Sequence, residues 1–395
     1  MSRDSISRNP PEKGFNLIGY ATSPMGLGED LRSFAAMLDY LGIPFSVVDV
    51  PTDVQGKVPV AWQHMTTEDY GTSVFFMAAN ECLKLAQANP VLFTQPSKKI
   101  GYFLWELPDF PNEDVPALML VDHIWCPTRF VQEAFFSKSK QLTLALPLPV
   151  VQHAGTGRNF RAELNIPEGK AKAKAKKKAS PQASSQTTTV SPNKPAFVCL
   201  FMFDLHSTMA RKNPEAVIRV FLEFAKTNPD AYLILKVSRW QNMGRNALAW
   251  IPKHPQIKLI KETLKPAELS DLYQAANCYM SLHRSEGFGR TLVEALQQGL
   301  HVVSTNFSGP KDFLNEHNAL LVDWSRTNVL PGDYPHLKTP SWWANPNEAH
   351  ALQQLRQAHQ RAAQGPNLQG QKDGEAFMHK GLADKYAPIL KTYLK

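Results

Sequence analysis

The sequence predicts an α/β protein of two doubly wound parallel-sheet domains, and three observations carry that reading. Apolar runs of strand length alternate with helix-like stretches; the alternation halts at a polar, lysine-rich segment and then resumes; and 395 residues exceed what one small core needs. In the first half the strand-like runs are FNLIGY (15–20), FSVVDV (45–50), SVFFMA (73–78), KIGYFLW (99–105), HIWCP (123–127) and LTLALPLP (142–149). In the second they are AFVCLFMF (196–203), AYLILKVS (231–238), IKLIKE (257–262), CYMSLH (278–283), HVVSTN (301–306) and NALLV (318–322). Strands covered by helices on both faces read as continuous apolar runs of this kind. Between them lie helical periods: in NPEAVIRVFLEFAKTNP, residues Ala216, Val217, Val220, Phe221 and Phe224 recur at helical spacing. The expected organisation is an N-terminal domain over 14–167, a flexible linker over 168–195, a C-terminal domain over 196–375 and a terminal helix over 376–395.

Composition narrows the partners. Of the formal charge of +8, six lysines fall in KAKAKAKKK at 170–178, and taking those six from +8 leaves +2. The folded part is nearly balanced, so no broad basic field for nucleic acid is expected and each cation must be argued singly. The Lys/Ala/Ser/Thr-rich segment has too few large apolar residues to bury; it reads as a solvated linker, with contact to anionic lipid headgroups as the competing reading. No run reaches the ~18 apolar residues of a membrane span, and MSRDSISRNPPEKG lacks the apolar core of a secretory signal. Cytoplasmic residence is therefore expected, with loose attachment to the inner face of a membrane left open. Cys82, Cys126, Cys199 and Cys278 match no metal-binding spacing and read as buried reduced thiols.

In a doubly wound sheet, ligands sit outside the carboxyl ends of the strands, so the loops there hold the chemistry. The first strand runs into GYATSPMGLGEDLRSF, where Gly26 and Gly28 open a helix, and Asp49 lies about 20 residues further on, a spacing that suits a dinucleotide ribose. Leu31 stands where that fingerprint wants a third glycine. A bare turn, a backbone contact to substrate and a dinucleotide site all remain open here. FMFDLHSTMARKNPEAVI sets Arg211 beside Lys212 just before an Asn-Pro helix start; such neighbours are either solvated or rewarded by a phosphate. In HRSEGFGRTLVEALQQG, strand, glycine loop and helix follow one another: Gly287 and Gly289 carry no side chain to block an anion from the amides at the helix start. Glu286 and Glu294 flank that loop. A carboxylate beside a phosphate repels it unless it binds hydroxyls, and hydroxyl, diphosphate, hydroxyl in sequence describes a nucleotide sugar. An ordinary early-helix acid is the competing reading for Glu294.

The motifs FDLHSTMARKNP, SLHRSEGFGRTLVEALQQG and GPKDFLNEHNALLV, in this order, resemble the retaining GT4-type glycosyltransferases, the glycosyl transferases of group 1. IGYFLWELPDFP and VDHIWCPTRFVQEAF are similar to segments of bacterial members that build cell-surface polysaccharide, including lipopolysaccharide; the linker has no counterpart. The resemblance implies a GT-B fold, two Rossmann-like doubly wound domains facing each other across a cleft, with the donor on the C-terminal one and the acceptor on the N-terminal one. It implies that Arg211 and Lys212 bind the donor diphosphate, that Glu286 with the amides of Gly287, Phe288 and Gly289 holds the transferred sugar, and that Glu294 binds the ribose. Thr291, Leu292, His283, Gly26 and Gly28 complete the expected donor site. Glu106 is the candidate acceptor base, an ion-paired structural acid being the competing reading. His283, next to the glycine loop, is a candidate sugar contact, His123 a core or strand-edge histidine, and Trp105 either a stacking surface for the acceptor or packing. No metal and no cofactor are expected, since the sequence has neither a D-x-D pair nor HExxH. The expected partners are a nucleotide-diphosphate sugar and a glycan or lipid-linked saccharide. Two other classes stay in play: a carbohydrate- or nucleotide-binding protein of the same fold without turnover, and a nicotinamide-dependent oxidoreductase using Gly26, Gly28 and Asp49.

Overall fold

The computed structural model describes residues 12–54, 56–60, 70–95, 97–169, 195–205, 207–238, 246–335, 337 and 339–394. Most of the expected linker, 170–194, lies outside the described residues.

Each of the twelve apolar runs is a strand. The first sheet contains β1 (Glu12–Gly19), β2 (Phe45–Asp49), β3 (Tyr70–Phe76), β4 (Lys98–Tyr102), β5 (His123–Cys126) and β6 (Leu142–Ala145) in the order β2-β1-β3-β4-β5-β6, with every pairing parallel. The second contains β7 (Phe197–Asp204), β8 (Ala231–Ser238), β9 (Ile257–Ile260), β10 (Cys278–Ser281), β11 (His301–Thr305) and β12 (Ala319–Val322) in the order β12-β11-β10-β7-β8-β9, again all parallel. The apolar character of the central strands follows from this: β10 and β11 are buried at every residue, and β7 at all but Asp204. The order of strand addition switches from one side to the other between β1 and β3 in the first sheet and between β7 and β10 in the second. The loops after β7 and β10 carry Arg211, Lys212 and the glycine loop, so the second switch point is where a ligand crevice opens.

Phe15, Leu17, Phe34, Val74, Phe76 and Trp125 anchor the first core. Leu382, Tyr386 and Leu390 of the last helix, His379–Tyr393, pack into that same core. The Tyr386 hydroxyl donates to the Pro147 carbonyl at 2.5 Å, and the Tyr393 carbonyl accepts from Thr72 at 3.0 Å. In the other direction, Val150, Phe160 and Ile166 pack in the core of the second sheet, although the sequence boundary at 167 places them in the N-terminal domain. Their apolar spacing is too sparse to show which sheet they serve.

One element had no forecast. β13 (Trp324–Asn328) and β14 (Trp342–Pro346) form an antiparallel ribbon joined by the loop 329–341. Trp343, Val329 and Leu107 make a small core between this ribbon and the loop after β4.

Candidate active site

Arg211 and Lys212 end a single helical turn, Met209–Lys212, which stops at Asn213 in the left-handed region (φ 53°) before the helix Pro214–Ala225 begins. Asn213 holds that conformation by donating to the Leu282 carbonyl at 2.9 Å, and Arg211 donates to the Ser285 carbonyl at 2.8 Å. These bonds tie the loop after β7 to the loop after β10. The Arg211 side chain is only 4% exposed, and its guanidinium meets two carboxylates: Glu286 at 2.9 Å and, from the other domain, Glu106 at 2.7 Å. Lys212 reaches the other oxygen of Glu286 at 2.5 Å. The sequence reading treats the two cations as open to a phosphate; here both are compensated. A buried guanidinium without a partner is costly, and the carboxylates remove that cost. Burial alone would weaken the Arg211 cation, and Glu106 and Glu286 more than offset it. Burial likewise works against the Glu286 anion, but Arg211 and Lys212 bring its pKa down to about 2.

The glycine loop is built for close contact. A Cβ on Gly287 would stand 2.7 Å from the Trp105 carbonyl, and Gly289 has a φ of +90°, which disfavours a side chain. The Gly287 carbonyl accepts from Thr128 at 2.7 Å, across the interdomain cleft, and the Glu286 carbonyl accepts from the Gly309 amide at 2.9 Å. The Glu286 amide donates to Ser308 at 2.8 Å, and Ser308 itself sits at φ 65°. The amides of Gly287, Phe288 and Gly289, by contrast, bond to no acceptor among the described residues and open the helix Arg290–Gln297. Unused amides at a helix start are an anion site in waiting.

The remaining expected site residues divide. Glu294 is half-buried on that helix and accepts from the Tyr273 hydroxyl at 2.6 Å; burial raises its pKa, with the Tyr273 bond and Arg290 opposing. The Thr291 carbonyl accepts from the same hydroxyl at 3.2 Å. The Leu292 side chain lies in the core and its amide bonds the Gly289 carbonyl, while the Phe288 ring packs against Phe313 and Phe377; in neither does the side chain face the cleft. His283 is fully buried beside the glycine loop, between Ser281 Oγ at 3.1 Å and the Phe307 carbonyl at 3.4 Å. Burial lowers its pKa to about 4 and keeps it neutral. His123 meets the Tyr393 hydroxyl at 2.6 Å, the strand-edge role, and Trp105 packs edge-on against Phe110 and Tyr334.

In the first domain, Asp49 accepts from the Thr22 amide at 3.1 Å and its hydroxyl at 2.6 Å, so the acid that a dinucleotide ribose needs is consumed in holding the turn. Gly28 is required because a Cβ would stand 2.5 Å from the Tyr20 and Ser23 carbonyls, whereas Gly26 is open. Both open the helix Gly26–Tyr40, whose Asp30 takes an ion pair from Arg290 at 2.8 Å. Asp30 and Arg290 thus bring the Gly26 turn up to the helix that follows the glycine loop. No local pattern in the sequence marks either, nor Thr128, Ser308, Tyr273 and Tyr334, because each works through a partner remote in the chain. Among the described residues no three His, Cys, Asp or Glu side chains group as metal ligands, and no helix is long and apolar enough to cross a membrane.

Residues 201–327, which contain all of this second-domain geometry up to the ribbon, match the family described as glycosyl transferases group 1. That segment is similar to group 1 glycosyltransferases. The chain's two-sheet architecture is the GT-B fold. Anabaena HepE, solved in complex with UDP, superposes with a TM-score of 0.61 at 12% identity over 96% of this chain and 100% of that one. Sucrose-phosphate synthase from Thermosynechococcus elongatus gives 0.64 at 12% identity over 96% and 99%. The pneumococcal O-GlcNAc transferase GtfA, in complex with UDP and GlcNAc, gives 0.53 at 14% identity; 82% of this chain spans 57% of that longer one. At these identities the likeness is one of fold. No protein of curated function matches the sequence.

Proposed function

We propose that the protein transfers a hexose or hexosamine from a nucleotide-diphosphate sugar to a glycan or lipid-linked saccharide, with retention of configuration, in bacterial cell-surface polysaccharide synthesis at the cytoplasmic face of the inner membrane. The observation that carries this reading is the convergence of Arg211, Lys212, Glu286 and the unused amides of Gly287, Phe288 and Gly289 on one point of the interdomain cleft. Departure of a nucleoside diphosphate from the anomeric carbon builds negative charge on the leaving phosphates, and fixed donors that meet that charge lower the barrier. Arg211, Lys212 and the amides are those donors, so the reaction as drawn uses no metal and no cofactor. Glu286, held by two cations with a pKa of about 2, is a weak nucleophile; its role is to orient the sugar hydroxyls, and the leaving phosphate guides attack on the same face. Glu294, one turn into the helix, takes the ribose hydroxyls in exchange for Tyr273. The complexes of HepE with UDP-glucose and of GtfA with UDP and GlcNAc support a nucleotide sugar as the donor class.

The test is a thermal-shift and turnover screen against UDP-, GDP- and ADP-sugars. At least one should raise the melting temperature and release its nucleoside diphosphate in the presence of a saccharide acceptor. Binding of none of them, with NAD shifting the protein instead, would overturn the proposal.

A further inference from the structure

The charge cluster between the two domains poses an electrostatic question. Arg211 and Lys212 face Glu286 and Glu106, so two cations and two carboxylates cancel at the place where a diphosphate has to bind. An incoming anion would meet no net attraction, and repulsion from the nearer carboxylate. One of the two acids has to leave. Glu286 belongs to the same domain as the cations and is enclosed with them, its side chain 8% exposed; Glu106 comes from the opposite domain and is 30% exposed.

Glu106 is held like a ligand. One oxygen receives Arg211 at 2.7 Å and the other receives the Tyr334 hydroxyl at 3.1 Å. Tyr334 lies in the loop of the β13–β14 ribbon. That ribbon is anchored to the cation loop through Arg284, whose carbonyl accepts from the Ala344 amide at 3.0 Å and whose guanidinium donates to the Ala210 carbonyl at 2.7 Å. Arg211 and Tyr334 are thus linked through the second domain, and Glu106 reaches them from the first, its neighbours Trp105 and Leu107 packing against the ribbon and its loop. The buried Nε of Arg211 has no hydrogen-bond partner, leaving donor capacity that a two-oxygen carboxylate does not fill and a phosphate with more oxygens can. The Gly287 backbone packs directly on the Trp105 carbonyl, so admitting a donor separates the Glu106 loop from the glycine loop.

We propose that Arg211 and the Tyr334 hydroxyl form an anion subsite in which the Glu106 carboxylate is the resident occupant, standing in for a donor phosphate until the donor displaces it. The proposal rests on the diphosphate reading above and adds Tyr334 to the donor site. Withdrawal of Glu106 leaves the cluster net positive, and the same step frees this carboxylate from Arg211 as the donor settles.

The experiment is calorimetric titration of UDP and of inorganic pyrophosphate into wild type, Glu106→Gln, Tyr334→Phe and the double variant. Asp109→Asn serves as the control: it removes an equal charge at an exposed neighbour whose only bond to the site, among the described residues, is through its backbone carbonyl, to Trp105. Glu106→Gln should bind both probes roughly tenfold more tightly, about one charged hydrogen bond in size. Asp109→Asn should match wild type, and the double variant should bind several-fold more weakly than Glu106→Gln alone. Equal or weaker binding by Glu106→Gln, while wild type binds, overturns the stand-in; equal binding by Glu106→Gln and the double variant removes Tyr334 from the subsite. If neither wild type nor Glu106→Gln binds UDP or pyrophosphate, the diphosphate reading itself has failed.

Discussion

Replacing Glu286 by glutamine keeps the shape of the side chain and removes the anion that two cations share. Its carboxyl falls from an ordinary 4.5 to about 2 in the folded chain, chiefly because Arg211 and Lys212 overcome the cost of burial. That difference corresponds to about 3 kcal/mol of native-state stability. With the side chain 8% exposed, solvent screening takes little from it. The native carboxyl is the stronger acid, so the contribution is complete above pH 4.5 and drains away as pH falls from there through 2. Glu286→Gln should therefore lower the calorimetric melting transition at pH 7 by roughly 6–12 °C, given about 2–4 °C per kcal/mol for a domain of this size. The gap to wild type should close as both are taken toward pH 2.5. An unchanged transition at pH 7, or a gap as wide at pH 2.5 as at pH 7, would refute the ion-pair reasoning.

The two cations should part company under mutation. Arg211→Ala strands a buried carboxylate and should cost about 3–5 kcal/mol in denaturant unfolding, whereas Lys212→Ala, at a side chain 21% exposed, should leave stability nearly intact and weaken nucleoside diphosphate binding by roughly tenfold or more. Glu294→Gln should weaken UDP binding and leave pyrophosphate binding alone, since only the nucleoside carries ribose hydroxyls; calorimetry with both ligands checks it. His283 is neutral in the fold down to about pH 4, while the unfolded chain takes up its proton near 6.5. Stability should thus fall as pH drops from 6.5 to 4, and His283→Gln should flatten that part of the profile. Gly287→Ala sets a methyl 2.7 Å from the Trp105 carbonyl, and steady-state assays should find turnover lost.

The strands were legible because both-face burial forces apolar runs, and all twelve of those in the two sheets announced themselves this way. The ribbon β13–β14 escaped because its two short strands flank a long loop with no tight-turn pair beside them. Likewise, the motif residues Arg211, Lys212, Glu286 and Gly287 were readable from local chemistry, and the structure brings them together. Their state of charge was not. Glu106 and Glu286 are remote from the cations in sequence, so the compensation of Arg211 exists only in three dimensions. Leu292 and Phe288 show the converse: they stand in the glycine-loop motif, yet their side chains serve the core.

The most direct measurement is a crystal structure with a bound nucleoside diphosphate. The account expects its phosphates against Arg211, Lys212 and the amides of Gly287 to Gly289, its ribose on Glu294, and Glu106 withdrawn from Arg211. Phosphates bound elsewhere, with the Glu106–Arg211 pair intact, would contradict it.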